Sequence, residues 1–227
     1  MKVNALHSWK VTIAEAYEIQ RSLAPMVIRN GTPNVPRFIA GTDISHPNSR
    51  GMARGAVIVL RFPELVLAAE TVVEEEVDFP YVPGLLSFRE TPLILTAFHK
   101  LKLTPDIIIA DAQGIAHPRR LGMASHLGLL LDIPTIGCAK AILCGSHSDL
   151  SEEPGAQAPI VDRGEVIGAA LRTKQNTKPV YISIGHRVSL KAAIHLVMAC
   201  CKGYRLPEPT RLAHMAAGKL ASPSTTR

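Results

Sequence analysis

No apolar run in the 227-residue sequence approaches the roughly 20 residues a membrane helix needs, so neither a helical membrane protein nor a membrane partner is expected. The first residues, Met1 to Trp9, lack the basic-then-apolar pattern of a secretory leader, and a cytoplasmic protein is expected. Cysteine is sparse. Cys138, Cys144, Cys200 and Cys201 show no paired spacing that would signal a disulfide framework or a zinc site, so buried reduced thiols are expected. There is no internal repeat, no linker long enough to divide two domains and no low-complexity basic arm. Any nucleic-acid surface must therefore be assembled by the fold.

What is present suits one globular domain with a filled core, since 47% of residues are apolar. The 25 Lys and Arg against 19 Asp and Glu leave a net charge of +6, which favours a polyanionic partner without requiring one. Thr12-x-x-Glu15 is a capping box opening a helix from Thr12 to Val27, with Ile13, Ala16, Tyr17, Leu23 and Val27 on one face. Pro33 and Pro36 then break the chain before a strand, Phe38 to Ile44. Two further strands, Ala56 to Leu60 and Leu65 to Val73, are separated only by Arg61 to Glu64 and are expected to pair as a hairpin.

A helix within Ser87 to Leu103, a strand from Ile107 to Asp111, a helix from Arg119 to Leu131 and a strand from Thr135 to Cys138 follow. Gly145 to Ala158 reads as a surface loop, and Val166 to Arg172 with Val180 to Ile184 as a second hairpin. Ser189 caps an apolar, buried helix that ends at Gly203, and the chain from Ala216 reads as a frayed tail. An antiparallel group followed by alternating strands and helices indicates an α/β fold with a mixed sheet.

Asp43 lies inside the first strand and Asp111 ends the strand Ile107-Ile108-Ile109-Ala110-Asp111. An ionised carboxylate among aliphatic side chains is costly unless a cation or several donors compensate it. Two of them at neighbouring strand positions suit Mg²⁺, which prefers oxygen ligands; capping a loop or pairing with Arg is the alternative for each. Glu90 stands at a helix start, either in a Ser87-x-x-Glu90 capping box or just before a helix capped by Thr91 with Pro92 first inside. Local spacing leaves cap and ligand open. The small residues after Asp111 would let a base or phosphate approach the backbone, and Lys140 follows a strand where its ammonium could meet a phosphate.

Five ordered segments carry a resemblance: Gly41-Thr42-Asp43-Ile44-Ser45, Pro80 through Glu90, Asp111 through Arg119, Pro134 through Lys140, and Tyr204 through Arg211. Together they are similar to the endonuclease V family, from about Trp9 to His214. The resemblance implies a ribonuclease H-like mixed sheet with flanking helices, one catalytic domain over residues 1–215 and a flexible tail over 216–227. It implies metal binding by Asp43, Glu90 and Asp111, with Mg²⁺ as cofactor and Mn²⁺ able to substitute. Lys140 and His214 complete the catalytic set. Tyr81, stiffened by Pro80, Val82 and Pro83, matches the family's wedge, and Gly84, Leu86, Ala112, Gly114 and His117 match positions around the lesion. Ala112 departs from the glycine common there; His46 and Cys138 also differ. The implied activity is hydrolysis of the second phosphodiester 3′ to a deaminated base, above all deoxyinosine, leaving 3′-hydroxyl and 5′-phosphate ends. DNA is the implied partner, inosine-containing RNA a further one, and the protein a monomer. A different ribonuclease H-like nuclease, such as a junction resolvase, and a non-catalytic nucleic-acid-binding protein are the competing readings.

Overall fold

The structure is a computed structural model describing residues 1–31 and 35–218. In chain order its strands are β1 (Phe38–Ile44), β2 (Met52–Arg61), β3 (Val66–Glu76), β4 (Ile107–Ala110), β5 (Thr135–Ala139), β6 (Gln157–Asp162), β7 (Glu165–Leu171) and β8 (Val180–His186). The helices are α1 (Ile13–Leu23), α2 (Leu86–Lys100), α3 (Met123–Leu131), α4 (Leu190–Ala199) and α5 (Glu208–Gly218). All eight strands form one sheet in the order β3-β2-β1-β4-β5-β8-β7-β6. The central strands β1, β4 and β5 run parallel, and every other pairing is antiparallel.

Alternation along the strands builds two cores. Ile39, Ile58, Leu60, Ile107 and Ile109 face one side, where Leu23 at the end of α1, Val197 of α4 and Ala213 of α5 cover them. Ala40, Val57, Val59, Ile108 and Ala110 face the other side and meet α2 through Ile94 and Phe98 and α3 through Leu127. Each large aliphatic buried this way contributes roughly 1.5–3 kcal/mol, so the central strands are the most firmly held part of the sheet. Both faces of β1 and β4 are covered, so their carboxyl ends are rigid platforms.

The mixed sheet with flanking helices answers the expected fold class, and β1 has the expected bounds. The Thr12 capping box is present, with Glu15 N–H donating to Thr12 Oγ1 at 3.2 Å. Helix α1 stops at Leu23 and passes into a 3-10 turn, Ala24–Met26; Ile13 is exposed and Gln20 takes a buried position on its inner face. Both expected hairpins form, β2 with β3 and β7 with β8.

Strand β6 was not expected, its first two residues, Gln157 and Ala158, falling in the expected loop, and α5 was not expected either. Helix α4 ends at Ala199 and buries only one face, through Ala193, Leu196 and Val197, rather than all of it. Its Ser189 cap is present, accepting from Ala192 N–H. Residues 216–218, expected in the tail, belong to α5, with Ala216 and Ala217 buried. Pro33, expected as a chain break, and residues 219–227 of the expected tail lie outside the described residues. Among the described residues all four cysteines are free and no helix is long and apolar enough to cross a membrane.

Candidate active site

The parallel pairing of β1 with β4 sets Thr42 opposite Ala110, so Asp43 and Asp111, one residue further along each strand, come side by side. Asp111 N–H donates to Thr42 O at 3.2 Å, locking that register where β4 ends. Strand β5 runs parallel on the other side of β4 and delivers Lys140 directly after Ala139. All three side chains thus leave the carboxyl ends of adjacent parallel strands, the edge where open α/β sheets bind ligands.

Helix α5 supplies the fourth group. It packs across β1 and β2, and it can do so because β1 carries Gly41: a Cβ there would stand 2.0 Å from Pro209 O. That close approach brings His214 Nδ1 to 2.5 Å from Asp43 Oδ2. Arg211 reinforces the start of α5 with two bonds to the buried Glu208 at 2.7 Å each, and its guanidinium lies over the Tyr204 ring. One ligand atom from each of Asp43, Asp111 and His214 lies within 4.8 Å of the others, a spacing fit for one cation.

Electrostatics point the same way. Burial first, then the charge of Asp43, raises the Asp111 carboxyl pKa, opposed by Lys140 and His214. Glu90 is pushed up to about 8 by burial and by the charges of Asp43 and Asp111, against the opposing pull of Arg89. The Lys140 ammonium sits against Asp111 Oδ2 as an ion pair. Three carboxyl groups crowded together, with ionisation made costly by burial at Glu90 and Asp111, form a donor set that fits a hard divalent cation.

Glu90 is not a cap. Helix α2 starts at Leu86 with Leu85 in the cap position and no side-chain bond, and Pro92 lies inside the helix. The buried Leu85 and Phe88 pack with Ala16 and set the helix start, overriding both capping patterns. Glu90 therefore stands one turn into α2, outside the tight triangle of Asp43, Asp111 and His214 and close enough to feel both aspartates.

A cavity of about 570 Å³ opens beside the acidic group, lined by Glu90, Asp111 and Lys140 at one side and by Tyr81, Gly84 and His117 at another. Pro80, Val82, Pro83 and Leu86 surround that second wall in sequence, and Val82, Pro83 and Leu86 line the cavity. Tyr81, part of that lining, is 72% exposed. Gly84 turns with φ +80°, and its carbonyl accepts from Gln20 Nε2, His117 Nε2 and Arg119 Nη2, each at 2.9 Å.

His117 is buried and neutral at physiological pH, with its pKa pushed down to about 4 by burial and by Arg119 and Arg120. Its Nε2 donates to Gly84 and its Nδ1 accepts from Arg119 N–H, so it braces the cavity rim. Ala112 is in the wall and 6% exposed. Gly114 is buried behind the wall: its N–H donates to Ser183 Oγ at 2.8 Å, and a Cβ would stand 2.0 Å from Ile184 O.

Sequence reasoning missed Gln20, Ser87 and Gln113, all of which line the cavity, and Arg119, whose guanidinium bonds Gln20 and Gly84 and lies 4.3 Å from the Tyr17 ring centre. The only available signal for Gln113 was its place between the singled-out Ala112 and Gly114.

Residues 21–215 match the family model described as Endonuclease V. A relative named Endonuclease V from Gloeobacter violaceus is 50% identical over 92% of this chain and 87% of its own length. The crystal structure of Endonuclease V from Streptomyces avermitilis superposes with a TM-score of 0.88 at 39% identity, covering 95% of each chain. That of Ciona intestinalis, in complex with a 24mer DNA containing an inosine followed by a ribo-adenosine, superposes with a TM-score of 0.77 at 27% identity. It covers 90% of this chain and 95% of its own.

Proposed function

The chain belongs to the endonuclease V family, and on that footing we propose that it hydrolyses DNA strands at deaminated bases, inosine above all, with Mg²⁺ held at its acidic cluster. The observation that carries this reading is the convergence of Asp43, Asp111 and His214 beside a cavity with an exposed Tyr81 at its mouth. A Ciona relative binds inosine-containing DNA, which supports DNA as the partner.

Asp43, Asp111 and Glu90 would hold the cation, which when bound polarises the phosphodiester and favours ionisation of the attacking water. Manganese, with the same preference for oxygen ligands, fits the same donors. His214 is oriented by Asp43: the bond at 2.5 Å places the ring proton on Nδ1 and leaves Nε2 with a lone pair. That nitrogen can take a proton from water at the site. The Lys140 ammonium, 3.5 Å from His214 Nδ1, is placed to offset negative charge on the phosphate. Tyr81, flanked by two prolines, is stiff enough to stack where a nucleotide is flipped out, and Gly84 and Ala112 wall the cavity that would receive it. Cleavage one linkage beyond the lesion's own 3′ phosphate follows from the family pattern, with 3′-hydroxyl and 5′-phosphate ends. Inosine-containing RNA offers the same base to the same cavity and is proposed as a further substrate. Action as a monomer is part of the same proposal.

The test is purified protein with Mg²⁺ on matched DNA and RNA strands carrying one inosine, beside unmodified controls. A single cut one linkage past the inosine is expected. Equal cutting of inosine and control strands, or cutting that persists in EDTA, overturns the reading.

A further inference from the structure

Five arginines line a second hollow of about 590 Å³ that shares no lining residue with the cavity beside the acidic cluster. Arg21 and Arg29 come from α1 and the chain beyond it, Arg119 and Arg120 from the link between β4 and α3, and Arg163 from the turn joining β6 to β7. Ala24, Pro25 and Pro118 complete the lining. No acidic side chain faces this hollow, and proline stiffens its walls.

Three carboxylates outside the hollow hold arginines in place. Glu18 pairs with Arg21, Asp162 with Arg120 at 2.8 Å, and Glu165 with both Arg29 at 2.5 Å and Arg120 at 2.7 Å. Arg119 and Arg163 form no ion pair among the described residues, so the hollow carries surplus positive charge. Arg119 is fixed by neutral groups instead: it donates to Gln20 Oε1 at 2.5 Å and to Gly84 O, and it lies over the Tyr17 ring. The backbone adds a second observation. Arg120 has φ +58°, and Arg163 has φ +55° followed by Gly164 at φ +80°. Two successive positive φ values in a hairpin turn favour Asn-Gly, so the turn itself gains nothing from an arginine at its first position. Two arginines held in the left-handed region on facing segments of one hollow point to a task for their charge.

We propose that this hollow is a groove for the phosphate backbone on the 5′ side of the altered base, an anchoring surface separate from the hydrolytic centre. The 5′ assignment rests on the functional reading above: cutting falls 3′ to the base, so the 3′ side of the strand runs over Asp43, Asp111 and Lys140. The groove adjoins a different part of the cavity. Arg119 bonds the Gly84 carbonyl, and Arg120 Nη1 donates to His117 O at 2.9 Å, so two groove arginines buttress the Gly84–His117 rim. A strand leaving the cavity over that rim meets the arginines directly. Guanidinium forks match phosphate oxygens, and a nucleic acid backbone repeats one negative charge per nucleotide, whatever the sequence.

The experiment is equilibrium binding in EDTA, by fluorescence anisotropy, of single strands carrying one inosine. One series keeps the 3′ flank constant and lengthens the 5′ flank from about two to about ten nucleotides, and a mirror series lengthens the 3′ flank. Wild type is compared with Arg21→Gln/Arg163→Asn, which leaves the cavity braces Arg119 and Arg120 intact and puts at 163 a residue suited to positive φ. Arg163→Lys keeps the charge. Wild-type affinity should climb with 5′ length, and its salt dependence should steepen. The double variant should lose about tenfold on the longest 5′ strands and nothing on the shortest. Its slope of log affinity against log salt should fall by about 0.7 for each arginine removed, while Arg163→Lys keeps the wild-type slope. Single-turnover cleavage at saturating strand in Mg²⁺ should be unchanged in the double variant. Equal losses at every 5′ length overturn the inference, as does a loss confined to the 3′ series. Affinity that does not grow with 5′ length also overturns it, leaving at most a site for a small free anion. A wild-type protein that binds inosine and adenosine strands alike overturns the functional reading and, with it, the 5′ assignment; inosine preference without a groove effect overturns this inference alone.

Discussion

Replacing Glu90 by Gln should remove the catalytic function of that position and, in the absence of metal, make the protein more stable. The Glu90 carboxyl is pushed from 4.5 up to about 8 in the folded protein, first by burial and then by Asp43 and Asp111. Below 4.5 both folded and unfolded chains hold the proton, and Glu90 makes no pH-dependent contribution. Between 4.5 and 8 the unfolded chain releases the proton while the folded protein retains it, so stability falls by about 1.4 kcal/mol per pH unit. At pH 7 the deficit reaches about 3 kcal/mol, and it levels off once the folded carboxyl ionises near pH 8. An amide of the same shape has no proton to lose. Glu90→Gln should therefore exceed wild type by about 3 kcal/mol in urea unfolding at pH 7 in EDTA, with the gain vanishing at pH 4. Saturating Mg²⁺ should shrink the difference, because a bound cation offsets the charge that burial penalises. Equal stability at pH 7, or a gain that persists at pH 4, would refute the placement of Glu90 in the crowded acidic group.

Asp43→Asn and Asp111→Asn should each lower single-turnover cleavage by more than about a hundredfold while strand binding in EDTA survives, and near-normal turnover in Mg²⁺ by either would remove it from the ligand set. Tyr81→Ala should cost roughly 1–3 kcal/mol in binding inosine duplexes and Tyr81→Phe little. Full affinity and selectivity in the alanine variant would make Tyr81 a plain turn residue. Gly41→Ala should destabilise by at least roughly 1–3 kcal/mol, since a Cβ there meets the Pro209 carbonyl, and should slow cleavage by displacing α5. An unchanged melting temperature would show that α5 can move aside.

The parts of the fold that could be read in advance are those whose cause is local. Strand β1 is an apolar run bounded by Pro36 and Ser45, and the Thr12 box depends only on Glu15 three residues on. Strand β6 was hidden because Pro159 interrupts it; proline is tolerated there since β6 is an edge of the sheet. Helix α5 was hidden by its composition. Its buried face is Ala213, Ala216 and Ala217, too small to look like a core stripe until the close approach at Gly41 is seen. Asp43 and Asp111 stood out because a carboxylate beside aliphatic strand residues is conspicuous. Gln113 and Ser87 did not, because Ala141 and His126, which hold them in the cavity lining, are partners that no local spacing brings together.

The pairing of Asp43 with His214 spans 171 positions of chain, and the surface around Gly41 is closed only by the segment that carries His214. Because synthesis proceeds from the amino end and early portions begin folding as they emerge, the sheet can assemble while the hydrolytic centre is still missing a member. Nascent chains and products terminated before α5 are thus expected to be inert toward nucleic acid cleavage, even though Asp43, Glu90, Asp111 and the whole cavity wall have already been made. Hydrolytic competence waits on the synthesis and docking of α5.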